Sequence, residues 1–151
     1  MVLVVRSDLG LKKGKIASQC AHAAVMCYVK SASVNETMLK RWLVQGQPKI
    51  VVKVDDLEGM ERIAELAAEK KVVAEIVRDA GRTQVQSGTE TVLGLGPDSA
   101  EVIDSLAGHL KLILPGPLLR IGLRLLSGLM KPQSQSRSVL SCNRLGTVRQ
   151  V

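Results

Sequence analysis

A chain of 151 residues, 46% of them hydrophobic, is long enough to bury the core of one domain. With no Phe, one Trp (Trp42) and one Tyr (Tyr28), that core must be built from Val, Leu, Ile, Ala and Met. The net charge of +7 resides mostly in the tail: residues 1–113 carry 15 Lys and Arg against all 14 acids, whereas residues 114–151 carry six cations and no acid, so the high pI is no argument for a broad nucleic-acid-binding face on the folded part.

Residues 2–6 read as a buried strand, β-branched, uninterrupted and ended by Ser7-Asp8. The chain opens directly on this strand and holds no apolar run of membrane-spanning length, so no signal peptide or spanning helix is expected, and the expected location is cytoplasmic. A loop with Gly10 and Gly14 leads into a helix from about Lys15 to Lys30. Ile16, Cys20, Ala23 and Cys27 form its core stripe, and Lys15, Gln19, His22 and Met26 the stripe beside it. Asn35 is the expected cap of a second helix to Val44, which Gly46 stops.

Pro48 then introduces a strand over residues 49–54, and Asp55-Asp56 can cap a third helix over about 57–70. Residues 72–77 and 89–95 read as two further strands. Pro97 suits the first turn of a helix over about 98–107, with Asp98 and Glu101 near its N-terminus, and residues 109–113 suit an edge strand. The order β-α-α-β-α-β-β-α predicts an α/β layer structure with a mixed sheet.

After Pro115-Gly116-Pro117 the composition changes. Residues 118–131 are rich in Leu and Arg and could form a basic amphipathic helix for a membrane surface or a partner. The Ser-, Gln- and Arg-rich remainder is expected to be disordered, and an unstructured extension over all of 114–151 is the favoured reading.

Three cysteines (Cys20, Cys27, Cys142) without CxxC spacing point to reduced thiols in a reducing compartment. Cys20 and His22 cannot share a metal ion, because side chains two apart on a helix diverge by about 200°. Gly94-Leu95-Gly96 lacks the third glycine of a dinucleotide fingerprint.

Two blocks concentrate chemistry at strand ends, where open α/β sheets place their ligands: Gly14-Lys15-Ile16-Ala17-Ser18-Gln19-Cys20-Ala21-His22-Ala23 and Asp79-Ala80-Gly81-Arg82-Thr83-Gln84. A lysine in the first helical turn opposes the dipole by roughly 0.3–1 kcal/mol, so Lys15 suggests an anion or oxyanion to be met there. A partner cation would keep Asp79 ionised, and Thr83 could orient a water. Each block alone reads equally well as ordinary structure: a solvated basic loop at Lys12 and Lys13, a structural His22, a turn at residues 79–82.

Together, with Val2–Asp8, Gly46–Lys53, Thr91–Pro97 and Gly108–Lys111, the blocks resemble the archaeal/eukaryotic-type peptidyl-tRNA hydrolase family in order over residues 1 to about 113. The resemblance implies a three-layer α/β sandwich with a central mixed, mostly four-stranded sheet, often dimeric. It implies cleavage of the ester between a peptide and the terminal ribose of tRNA, without metal or organic cofactor. Positions matching the family's functional residues are Lys15, Asp79, Thr83 and Thr91. Gln19 and His22 match motif positions, His22 being expected among the catalytic residues with those four, and Lys12, Lys13, Gln19 and Arg82 are the expected substrate contacts. The family's loop usually carries a glycine where Lys12 stands, and the family normally ends soon after Ile113. A non-catalytic adaptor of the same fold and an inactive isoform are the alternatives.

Overall fold

A computed structural model describes residues 1–82 and 84–113; Thr83 and the whole of the 114–151 tail, including the amphipathic helix expected over 118–131, lie outside the described residues. The elements are β1 (Val2–Arg6), α1 (Lys13–Val34), α2 (Glu36–Val44), β2 (Ile50–Val54), α3 (Leu57–Glu69), β3 (Ala74–Arg78), β4 (Glu90–Leu95), α4 (Ala100–Ala107) and β5 (Lys111–Leu112). The sheet order is β3-β4-β1-β2-β5, five strands rather than mostly four, because the expected edge strand forms over two residues.

β1 pairs parallel with β2 and antiparallel with β4, which pairs antiparallel with β3. The C-terminal ends of β1, β2 and β3 therefore share one edge of the sheet. The uninterrupted apolar run of β1 is explained by its central place: Val2 and Val4 pack on one face, Leu3 and Val5 on the other. α3 and α4 cover the first face through Met60, Ile63, Ala67, Ile103 and Leu106. α1 and α2 cover the second through Cys20, Ala23, Cys27, Leu39 and Trp42. The layers are those of an α/β sandwich. Among the described residues no helix is long and apolar enough to cross a membrane.

Asn35 and Asp56 cap their helices as the sequence suggests, accepting the backbone N–H of Met38 at 3.2 Å and of Gly59 at 2.8 Å. Of the boundaries that differ from expectation, three have a local cause. α1 continues past Lys30 to Val34, because buried Ser31 keeps its last turn against the core. β3 begins at Ala74 rather than residue 72, since the Val72 N–H donates to the Ala67 carbonyl and closes the end of α3. α4 begins at Ala100 rather than 98: Ser99 is the cap, accepting the Val102 N–H, so Pro97 and Asp98 stand before the helix instead of in its first turn.

The approach of α1 to the sheet is set by small residues. A Cβ on Gly94 of β4 would lie 2.5 Å from the Cys27 sulfur and 3.1 Å from the Ala23 carbonyl oxygen. Only a glycine there lets α1 lie this close, and this packing aims its first turns at the end of β3.

Candidate active site

α1 starts at the same sheet edge where β3 ends. Its cap position, Lys12, makes no side-chain capping bond, and its first turn holds no acid, so its positive end is uncompensated. The Lys12 N–H instead donates to Gln84 Oε1 at 3.2 Å, tying the start of α1 to the loop after β3.

Asp79 follows β3 and is 4% exposed. Its backbone extends the ladder: its N–H donates to the Thr89 carbonyl at 2.9 Å, and its own carbonyl accepts from Gly88 at 2.7 Å. Three donors meet its carboxylate. The Lys15 ammonium is in contact with Oδ2. Gln19 Nε2 donates to Oδ2 at 2.5 Å, and the Gly81 N–H donates to Oδ1 at 2.8 Å. Gly81 holds φ +75°, and a Cβ there would fall 2.6 Å from the Ser87 nitrogen, so this donor requires glycine. The Lys15 ammonium first, then the Gly81 N–H, hold the Asp79 carboxyl below the usual carboxylate range.

Gln19 is buried as well, at 4% exposure, and its Oε1 has no hydrogen-bond partner among the described residues. Ser31 Oγ and Asp104 Oδ1 are also buried without partners among the described residues, so what singles out Gln19 is its place in the cleft lining beside Asp79. Helical periodicity alone fits Gln19 equally to the surface and to the site; burial decides for the site.

A cleft of about 630 Å³ opens along this arrangement. Lys15, Ser18, Gln19, His22 and Met26 of α1 form one wall, and residues 76–80 and Arg82 form the other. His22 is exposed on that wall, and no hydrogen bond or ion pair among the described residues engages it. Lys12 and Lys13 are exposed on the turn into α1, outside the cleft lining.

Thr91 is fully buried, and its hydroxyl donates to the Val77 carbonyl at 3.2 Å. Arg78 pairs with Glu90 and Val77 with Val92, so Thr91 is the extra residue of a β-bulge. Bulges beside functional sites re-aim side chains, and this one places a hydroxyl against the strand two residues upstream of Asp79. Sequence reasoning misses the bulge and the Gly81 and Gln84 contacts; glycine beside an aspartate is the available signal for the Gly81 contact.

The Cys20 and Cys27 thiols are free and buried; burial first, and then the Glu75 charge, push Cys27 up to about 12. They serve packing, not the cleft chemistry.

A family model described as peptidyl-tRNA hydrolase PTH2 matches residues 1–113. The chain belongs to this family. It is 49% identical over 113 residues to the peptidyl-tRNA hydrolase of Thermoplasma acidophilum, a match covering 75% of this chain and 97% of that one. It is 46% identical over 117 residues to the peptidyl-tRNA hydrolase of Sulfurisphaera tokodaii, covering 75% and 97%. Against human peptidyl-tRNA hydrolase 2, mitochondrial, identity is 48% over 112 residues, covering 74% of this chain and 63% of the human protein. The match thus spans nearly all of these archaeal members and under two thirds of the human one. The cleft residues lie inside it.

Proposed function

We propose that the chain hydrolyses peptidyl-tRNA, cleaving the ester between the peptide carboxyl and the 3′-terminal ribose and so returning free tRNA. The observation that carries this reading is the buried Asp79 carboxylate held by Lys15, Gln19 and Gly81 at the floor of an open cleft. Family membership over residues 1–113 supports it.

Ester hydrolysis needs a placed water, a sink for oxyanion charge and a proton for the departing ribose oxygen. In this reading Asp79 acts as a water-orienting acceptor: its lowered pKa makes it a weak base, and Oδ1 keeps a lone pair beyond the one facing Gly81. The water-orienting role expected of Thr83 falls on a residue outside the described ones. Lys15 stabilises the tetrahedral oxyanion while fixing Asp79, and Gln19 Oε1 accepts from the water or a ribose hydroxyl; as water adds to the carbonyl carbon its proton passes through Asp79 to the ribose oxygen, whose bond to that carbon then breaks. Thr91 positions the end of β3 through Val77. His22 and Arg82 contact the substrate along the cleft walls, and Lys12 and Lys13 meet phosphate outside it.

We assign this activity to residues 1–113. The test is hydrolysis of N-acetylaminoacyl-tRNA by the full chain and by a chain ending at Ile113. Both should release free tRNA at rates within a few-fold of each other. An inert full chain would overturn the hydrolase reading, favouring the adaptor; an active full chain with an inert short form would overturn the domain assignment.

We also infer a homodimer, because Val25 (62% exposed), Tyr28 (43%) and Val29 (62%) leave an apolar stripe on the outer side of α1. Sedimentation of the full chain should give twice its monomer mass, and Val29→Asp should return the monomer; a wild-type monomer at micromolar concentration would remove the inference. We infer action in the cytoplasm, which the archaeal relatives suggest, although the human relative is named mitochondrial.

A further inference from the structure

The edge of the sheet that carries the cleft holds a second set of cations that the ester chemistry does not use. Lys53 of β2 and Lys111 of β5 stand directly opposite each other in the antiparallel pair, and both are exposed. Like charges in register across two strands repel and weaken the pairing. Here the repulsion falls on the shortest pairing in the sheet, where two residues of β5 supply the whole strand. No ion pair among the described residues engages either lysine. A pair serving stability alone would carry an acid at one of the two positions.

Their direction is set by register. Lys53 pairs with Val5, whose side chain packs in the layer beneath α1. Lys53 and Lys111 therefore project on the face of the sheet that carries α1 and the cleft. Lys12 and Lys13, exposed on the turn into α1, stand at the same edge, and no ion pair among the described residues engages them. Strand order places β5 four spacings from β3, about 19 Å along the edge. That span suits a few nucleotides of chain rather than the scissile group itself. Three acids lie close: Asp56 is engaged as the cap of α3, Asp8, whose N–H donates to the Asp55 carbonyl at 3.2 Å, is paired with Arg6, and exposed Asp55 offsets part of the charge. A hollow of about 440 Å³ beside these residues is walled by Gly59, Arg62, Ile63 and Leu66 of α3 and opens on the other face of the sheet, so it is not part of the lysine row.

We propose that Lys53 and Lys111, continued by Lys12 and Lys13, form a phosphate-binding strip that holds the RNA backbone upstream of the 3′-terminal ribose. The proposal rests on the hydrolase reading for its substrate. It makes RNA-arm recognition separable from ester cleavage: the strip sets affinity, and the cleft sets turnover.

The test is the full chain carrying Lys53→Glu and Lys111→Glu, assayed on N-acetylaminoacyl-tRNA and on the matching ester of adenosine alone. The double variant should raise KM for the tRNA about tenfold or more and lower the slope of log affinity against log salt by about 1.5, the share of two neutralised phosphates. Cleavage of the adenosine ester should stay at the wild-type rate, and Lys→Arg at both positions should restore the tRNA KM. A wild-type KM and salt slope in the double variant would overturn the strip, as would equal loss on both substrates. Titration with deacylated tRNA separates the two ideas. Indifference of tRNA affinity to the substitutions removes the strip whether or not the chain is a hydrolase. Binding that depends on them, in a wild-type chain that cleaves neither ester, supports the strip and removes the hydrolase reading.

Discussion

Replacing Lys15 by Ala, or Asp79 by Asn, is expected to lower kcat on peptidyl-tRNA by about 10²–10³-fold with KM little changed, the size of effect seen when one preorganised oxyanion partner is lost. The two side chains touch, at 17% and 2% side-chain exposure, so each substitution strands the other group. Without Lys15 the carboxylate loses its cation and keeps only the Gln19 and Gly81 donors. In Asp79→Asn the Lys15 ammonium faces an amide that cannot neutralise it. Because the groups act as one unit, the double variant should be no worse than the weaker single variant by more than a small factor. Single-turnover kinetics, alongside circular dichroism to confirm folding, measure this. Either single variant within tenfold of wild type would sink the assignment.

The same pair sets a pH expectation. The folded Asp79 carboxyl lies below its ordinary value, so its ionised form persists to more acidic pH than in the unfolded chain. Its contribution to stability is present above the unfolded value of about 3.9 and is lost only as pH falls through the folded value. The kcat/KM profile should therefore show no acid limb from Asp79 between about pH 5 and 8. A limb in that window that disappears in Asp79→Asn would contradict the paired geometry.

Substituting Gly94 by Ala is expected to produce the largest stability loss of any single methyl added to the sheet. The new Cβ would sit 2.5 Å from the sulfur of fully buried Cys27 and 3.1 Å from the Ala23 carbonyl oxygen of the α1 backbone. Overpacking of this kind costs about 1–3 kcal/mol, which for a domain of roughly 100 residues lowers Tm by several degrees or more. The contact names its own rescue: Cys27→Ala removes the obstructing sulfur. Cys27→Ala alone should destabilise through the cavity it opens, whereas the double variant should be more stable than the sum of the two losses predicts. Since α1 carries Lys15 and Gln19, Gly94→Ala should also reduce turnover, and the rescue should return part of it. Thermal melts of the four proteins close the cycle, and strict additivity would show that α1 does not depend on this glycine.

The match between sequence and structure follows the range of the forces involved. Helix starts at Asn35 and Asp56 were legible because capping is local: a side chain meets a backbone N–H three residues on. Strand and helix periods were legible for the same reason, to within a few residues at the ends. Pro97 misled because its fixed φ suits a first helical turn, yet Ser99 offers a side-chain acceptor that it lacks. Val72 misled because an apolar β-branched residue closing a helix looks like the start of a strand.

The paired blocks were legible as composition: lysine, glutamine and histidine at helical spacing, and aspartate before glycine. Their meeting was not. The sequence by itself determined the element order, the β-branched centre of the sheet, the small-residue face of α1 and the family to which the chain belongs, because each is written in periodicity, local capping or ordered motifs. Only the tertiary structure decided that β3 joins the sheet beyond β4, that an extra residue bulges at Thr91, that Gln19 is buried with one free acceptor, and that Lys53 faces Lys111. Those outcomes depend on which surfaces bury against which across long separations in the chain. No local preference encodes that choice, since it is made by the packing of α1 against Gly94 and by the shared strand edge that brings Lys15 to Asp79.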